Sequence, residues 1–146
     1  MARLASMDSS SISAQRVADL TQQLHLFFQM LDERRYDDLL EQFAPDGRWL
    51  RQGQWLTGRG EIATALAERP ATMRVRHVIT NIVVSPRAAG EFAVHAYMTA
   101  YRQRAEGRPE LFRLNLVSCV YRRGGDNWLL AEQQLLPEFD FSQSPR

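Results

Sequence analysis

Met73-Arg-Val75-Arg-His77-Val-Ile79-Thr-Asn81-Ile-Val-Val84-Ser-Pro86 is where the chain changes its period. β-branched residues crowd this stretch, apolar and polar positions alternate, and Pro86 closes it, so Val75–Val84 reads as a long strand. Downstream the same period continues. Phe92–Gln103 and Leu111–Arg123 are expected as strands joined by Glu106-Gly107-Arg108-Pro109, and Gly124-Gly125-Asp126-Asn127 turns into a last strand, Trp128–Leu136. Upstream the period is helical. Val17, Leu20, Leu24, Phe27, Phe28 and Leu31 recur at three- and four-residue steps behind Ser13, a residue suited to an N-cap. Tyr36, Leu39, Leu40 and Phe43 mark a second helix that stops at the turn signal Pro45-Asp46-Gly47. Arg48–Leu50 and Gln54–Thr57 read as two short strands flanking Gly53, and Glu61–Arg69 as a third helix ended by Pro70. Helices first and an antiparallel meander after them define an α+β chain.

The chain has 146 residues, the size of one domain. That domain is expected over 13–141, with loose tails at 1–12 and 142–146. A chain of this length buries roughly two-thirds of its unfolded surface and needs no disulfide or metal to fold. Its one cysteine, Cys119, excludes an intrachain disulfide and any zinc site built on several thiolates. A net charge of +1 provides no global attraction to nucleic acid or anionic lipid. All 18 basic residues are arginine, which excludes a Schiff-base lysine, a pyridoxal-phosphate anchor and a Walker-type phosphate lysine. GC-rich coding is the simple reading of that bias. No apolar run reaches the ~20 residues of a membrane span, and the N-terminus lacks the apolar core of a signal peptide. The expected compartment is the cytoplasm.

Gly58-Arg59-Gly60-Glu61-Ile62-Ala63 fits the dinucleotide fingerprint G-x-G-x-x-A. That fingerprint needs a buried parallel strand before it and a βαβ unit around it, and here a short hairpin precedes it. The glycines therefore serve the turn into the third helix.

Two histidines on neighbouring strands, His77 and His95, are the candidates for proton transfer, because imidazole titrates near neutral pH. Alternation places Val75, His77, Ile79 and Asn81 on one face, and His95, Tyr97, Thr99 and Tyr101 on one face of the next strand. On the fifth strand it separates Leu111, Arg113, Asn115, Val117 and Cys119 from the apolar set Phe112, Leu114, Leu116, Ser118 and Val120. An apolar outer sheet face favours a homodimer. Asp32 ends the first helix, where a carboxylate opposes the helix dipole, so something other than helix stability holds it there. Either it pairs with Arg34, Arg35 or Arg76, or it projects into a pocket as a base. Tyr36, Phe43, Trp49 and Trp55 cluster where a pocket would close and suit a flat apolar ligand. Two histidines and a carboxylate also suggest a facial metal triad, but these three lie far apart in sequence and no metal is expected. Cys119 reads as a small buried apolar residue.

Phe28-Gln-Met-Leu-Asp32-Glu-Arg-Arg-Tyr36-Asp-Asp-Leu-Leu-Glu-Gln-Phe43-Ala-Pro-Asp46-Gly resembles the opening helices of the nuclear transport factor 2-like superfamily. Gly58-Arg-Gly-Glu-Ile62 and Arg76-His77-Val-Ile-Thr-Asn81 are similar to its SnoaL-like branch, and the likeness runs from about residue 14 to 137. The resemblance implies a cone-shaped α+β barrel: three N-terminal helices packed on a strongly bent, mixed but mostly antiparallel sheet, with a pocket at the open end and a homodimer through the sheet. The superfamily includes ketosteroid isomerase, scytalone dehydratase, polyketide cyclases and the small subunits of aromatic-ring dioxygenases. In scytalone dehydratase a helix-end aspartate and two strand histidines serve the site. Asp32 and His77 match by position, His95 matches loosely, and Leu31 stands where one tyrosine of that enzyme would be.

The expected function is a cofactor-independent lyase or isomerase acting on a small hydrophobic cyclic carbonyl compound. His77 or Asp32 removes a proton beside the carbonyl, and His95, Tyr97 or Asn115 hydrogen-bonds the oxyanion. Tyr36, Trp49, Trp55 and Asn81 complete the ligand-binding set. The alternatives are a binding module with no chemistry, or a small scaffold subunit of an aromatic-ring dioxygenase.

Overall fold

The computed structural model describes residues 12–142. The tails expected at 1–12 and 142–146 fall almost wholly outside that range. Three helices come first: α1 (Ala14–Asp32), α2 (Tyr36–Gln42) and, after the hairpin of β1 (Phe43–Arg51) and β2 (Gln54–Thr57), α3 (Gly58–Ala67). The meander follows as β3 (Arg74–Pro86), β4 (Glu91–Gln103), β5 (Glu110–Gly124) and β6 (Asn127–Asp140). The strands form one mixed, unclosed sheet in the order β2-β1-β6-β5-β4-β3. Only the β1–β6 pairing is parallel. The helices cover one face of this sheet, α1 lying on β3 and α3 on β1. This is the cystatin-like, nuclear transport factor 2-like α+β architecture.

Local chemistry explains the ends of α1. Ser13 is the N-cap, its hydroxyl accepting from the Arg16 amide at 3.1 Å. At the C-terminus the Arg35 amide reaches back to the Met30 carbonyl (2.8 Å) and the Arg34 amide to Leu31 (3.3 Å), a Schellman closure. The left-handed residue in that closure is Arg34, φ 59°, where glycine is usual. Its guanidinium compensates by donating to the carbonyls of Pro70 (2.6 Å) and Met73 (2.8 Å), tying the α3–β3 connection to the end of α1. The stripe Leu20, Leu24, Phe27, Phe28 and Leu31 is buried as its spacing requires, and only Val17 of the expected set is exposed. Phe27 stands edge-on to Phe28, Phe43 and Trp49, with ring centroids 5.2–5.7 Å apart.

Two expectations change here. Pro45-Asp46-Gly47 is not a turn between a helix and a short strand. It is a wide irregularity inside β1, whose pairing with β6 jumps from Phe43↔Leu130 to Arg48↔Glu132. Gly47 is needed there, because a Cβ would sit 2.8 Å from the Leu130 carbonyl oxygen. The second change concerns the faces of the sheet. Register shifts interrupt β3 opposite β4, β5 opposite β4, and β6 twice opposite β5. A shift of one residue moves every following side chain to the other face.

Candidate functional site

A cavity of about 330 Å³, within the range of small-molecule sites, is lined by residues of the helices and of the sheet. Its apolar wall comes from Leu31 of α1, Trp49 of β1, Met98 and Ala100 of β4, and Leu135 of β6. His77, Asn115, Gln52, Glu68 and four arginines supply the polar groups.

His77 lines this cavity, and its partner Asp32 lies behind it, where the two side chains border a second hollow between α1 and β3. Asp32 is the last residue of α1, and its Oδ2 accepts from the His77 backbone amide at 2.8 Å. Its Oδ1 lies 2.5 Å from His77 Nδ1. Side-chain exposure is 8% for Asp32 and 9% for His77, so the pair is nearly withdrawn from water. Phe28 packs against the imidazole at 5.3 Å between ring centroids. These two hydrogen bonds answer the question raised by a carboxylate at a helix C-terminus: the carboxylate joins α1 to β3. Arg76 donates to the backbone carbonyl of Asp32, not to its carboxylate (3.5 Å), and Arg35 pairs with Asp38. With Nδ1 committed to Asp32, Nε2 is the ring nitrogen left for a ligand.

The remaining expected site residues divide. Asn115 is 4% exposed, lines the cavity, and its Oδ1 has no partner among the described residues. Trp49 is fully buried in the cavity wall, and its Nε1 likewise lacks a partner among the described residues. Tyr36 stands behind the lining, its hydroxyl accepting from Arg69 (2.9 Å) and Arg34 (3.2 Å).

Four more of the expected site residues do not line the cavity. His95 and Tyr97 are exposed, because the inward set on β4 is Phe92, Val94, Ala96, Met98 and Ala100. Both therefore lie on the outer face of the sheet, away from the dyad. Asn81 takes φ 55° in the irregularity between Thr80 and Val83, which turns it out of the alternation of Val75, His77 and Ile79. Trp55 is on the edge strand β2 with Leu56 inward, and it carries the Arg48 guanidinium 4.2 Å above its ring. Phe112 moves the other way. Expected with the outward apolar set of β5, it lines the cavity because the β4–β5 register slips beside it, pairing Ala100 with Arg113 but Tyr101 with Leu111.

The arginines were missed by sequence reasoning. Arg51 ends β1, Arg69 follows α3, Arg102 lies in β4 and Arg113 in β5, and all four line the cavity. Arg102 is paired with Glu110 at 2.6 Å. Arg69 donates to the Leu31 carbonyl (2.8 Å) and to Tyr36. Arg51 rests 5.0 Å above the Trp49 ring and Arg113 5.3 Å from Phe112, and neither has a hydrogen-bond or ion-pair partner among the described residues. Burial holds the Arg51 guanidinium below its ordinary pKa, and repulsion from Arg69 and Arg113 adds to this. Arg113 shares a strand face with Asn115, a signal present in the alternation. The bias to arginine itself gave no hint of which residues converge.

Beneath the cavity the inward face of β5 and β6 carries Cys119, Tyr121 and Gln133. Burial pushes the Cys119 thiol up to about 12 and raises the Tyr121 phenol well above its ordinary value. A thiol so held is not a nucleophile at neutral pH. Among the described residues no three His, Cys, Asp or Glu side chains gather as a metal site would require, and no helix is long and apolar enough to cross a membrane.

The chain belongs to the SnoaL-like domain family, whose model matches residues 13–133. None of the curated proteins matches it. Among solved structures, a Catenulispora acidiphila protein in complex with S-DNPA is 22% identical, covers 86% of this chain and 95% of its own, and has a TM-score of 0.77. A protein named provisionally as a scytalone dehydratase, from Novosphingobium aromaticivorans, is 14% identical, with 90% of each chain covered and a TM-score of 0.79. From the same organism comes the β subunit of a protein provisionally named an aromatic-ring-hydroxylating dioxygenase. It is 15% identical, with 87% of this chain and 93% of that one covered and a TM-score of 0.74. At these identities the likeness is one of fold.

Proposed function

We infer that the protein binds a small, largely hydrophobic cyclic carbonyl compound in this cavity and moves a proton on it, as a lyase or isomerase working without a cofactor. The observation that carries the reading is the buried Asp32–His77 pair at 2.5 Å, of which His77 lines the cavity. The carboxylate orients the ring and fixes the Nδ1–H tautomer, so Nε2 acts as general base beside the ligand carbonyl. Asn115, turned to donate through its amide nitrogen, is the group placed to hydrogen-bond the developing oxyanion; the choice between its two amide orientations is free because Oδ1 is unpartnered. His95 and Tyr97 have no part in this mechanism.

The test is deuterium exchange at the carbon beside the carbonyl of 2-tetralone in D2O, followed by NMR. The wild-type protein should accelerate exchange, and Asp32→Asn and His77→Gln should each lower the rate by about 10²–10⁴. Exchange no faster than in buffer rejects proton transfer. In that case a ligand recovered unaltered from the cavity would favour the binding-only reading.

A further inference from the structure

The cavity is asymmetric in charge. Beside its apolar wall stand four guanidinium groups against one carboxylate, Glu68. Arg102 is already neutralised by Glu110, and Glu68 is exposed and makes no ion pair among the described residues. Arg51, Arg69 and Arg113 thus line one cavity with no ion pair among the described residues, and they arrive from three separate stretches of the chain. Like charges brought together and partly desolvated cost folding free energy. The packing offsets that cost only in part: Arg51 and Arg113 lie against the Trp49 and Phe112 rings, and Arg69 donates through Nη1 to Leu31 and Tyr36. The Gln52-Gly53 turn that follows Arg51 adds its own strain, with φ 52° at the non-glycine Gln52. A buried polar atom without a partner, Asn115 Oδ1, lies in the same lining.

The geometry points to a substrate that carries a carboxylate, its ring system on the apolar wall of Trp49, Met98 and Leu135 and its –CO2⁻ held among Arg51, Arg69 and Arg113. This rests on the reading of the cavity as the substrate site and names the class of substrate. The guanidinium fork matches two carboxylate oxygens, and it keeps its charge throughout the physiological range. The position is consistent with the chemistry proposed for His77. Held by its acid group at the arginines, a ring spanning the cavity presents its interior edge to the dyad, so the anion serves as a handle and takes no part in proton transfer.

Isothermal titration with 1-naphthylacetate and its neutral twin 1-naphthylacetamide tests the assignment on the intact chain. The acid should bind about ten- to a hundredfold tighter than the amide, and the difference should shrink with added salt. Arg51→Met with Arg113→Met should erase the preference, whereas Arg87→Met, in the loop at the far end of β3, should keep it. Equal affinity for acid and amide, no saturable binding of the acid, or a preference surviving in the double variant overturns the proposal. Tighter binding of 1-naphthyl phosphate with no preference for acid over amide overturns the carboxylate in favour of a phosphate. If the double variant fails to fold, the acid–amide comparison on the wild-type protein still decides. The two readings fail separately: acid preference without deuterium exchange removes the dyad chemistry alone, and exchange on 2-tetralone without acid preference removes the carboxylate alone.

Discussion

Asp32 shows how one side chain can be unfavourable locally and required globally. Its charge opposes the end of the α1 dipole, yet its two oxygens take the backbone amide and the Nδ1 of His77. Asp32→Ala should therefore cost stability, by about 2–3 kcal/mol in urea unfolding, through two lost hydrogen bonds and a His77 amide left buried. Asp32→Asn, which can still accept from that amide, should cost less while removing exchange activity. Equal stability loss in both variants would mean the carboxylate charge is itself structural. Cys119 makes the complementary case in the core. Its folded pKa of about 12 stands above the ordinary 9.0 because burial disfavours the thiolate. The unfolded chain then loses its thiol proton first, so the contribution of this group is intact below pH 9 and is lost as pH rises toward 12. Denaturant midpoints should fall in that window, and the stability gap between wild type and Cys119→Ala should narrow there. A gap constant from pH 7 to above pH 9 contradicts the assignment.

At the scale of elements, what the sequence disclosed depended on whether local pattern or register was the deciding fact. The α1 stripe, its Ser13 cap and the four long strands are properties of neighbouring residues, and they stand in the structure nearly as read. So does the reading of Gly58-Arg59-Gly60 as the entry to a helix, since it opens α3 behind an antiparallel hairpin. The faces of the strands depend on where the alternation slips. Asn81 and Phe112 changed sides through irregularities that leave no mark in composition. His95 and Tyr97 keep strict alternation, and the sequence offered no way to tell which face the helices would cover. The convergence of Arg51, Arg69 and Arg113 is a product of the complete sheet and could not be seen in any one segment. Two glycines give a contrast at this scale. Gly47→Ala pushes a methyl to 2.8 Å from the Leu130 carbonyl oxygen and 3.0 Å from that of Ala44, both backbone atoms of β1 or β6. It should destabilise by about 1–3 kcal/mol. Gly60, inside α3, has open space around its missing Cβ. Gly60→Ala should stabilise by about 0.4–1 kcal/mol by restricting the unfolded chain. Thermal melts of the two variants should move in opposite directions, and a rise for Gly47→Ala would remove the close approach from the account of β1.

For the whole molecule, the open question is the face the helices leave bare. Cross-strand registers set Thr80, Tyr97, Leu116 and Leu136 in one row across four strands, and Val78, Thr99, Leu114 and Phe139 in the next. Tyr97, Val78, Leu136 and Phe139 are between 39% and 54% exposed, and Val83 at 60% extends the patch. Large contiguous apolar surface of this kind marks an interaction site. A flat sheet face can meet a copy of itself about a two-fold axis, so each strand row is its own complement. The occupant we expect is a second copy of the chain. Light scattering should then give twice 16.8 kDa. Leu116→Glu, which places a charge in the middle of the central row while leaving the inward face intact, should return the mass to that of one chain with its far-ultraviolet circular dichroism unchanged. A wild-type mass of one chain at micromolar concentration rejects the dimer. So does an unchanged dimer in Leu116→Glu, because an interface elsewhere on the surface would be blind to a charge at this position. The dyad and the arginines lie on the opposite face, so the monomeric variant should retain the preference for 1-naphthylacetate over its amide, and loss of that preference would mean that the second copy shapes the cavity as well as covering the sheet.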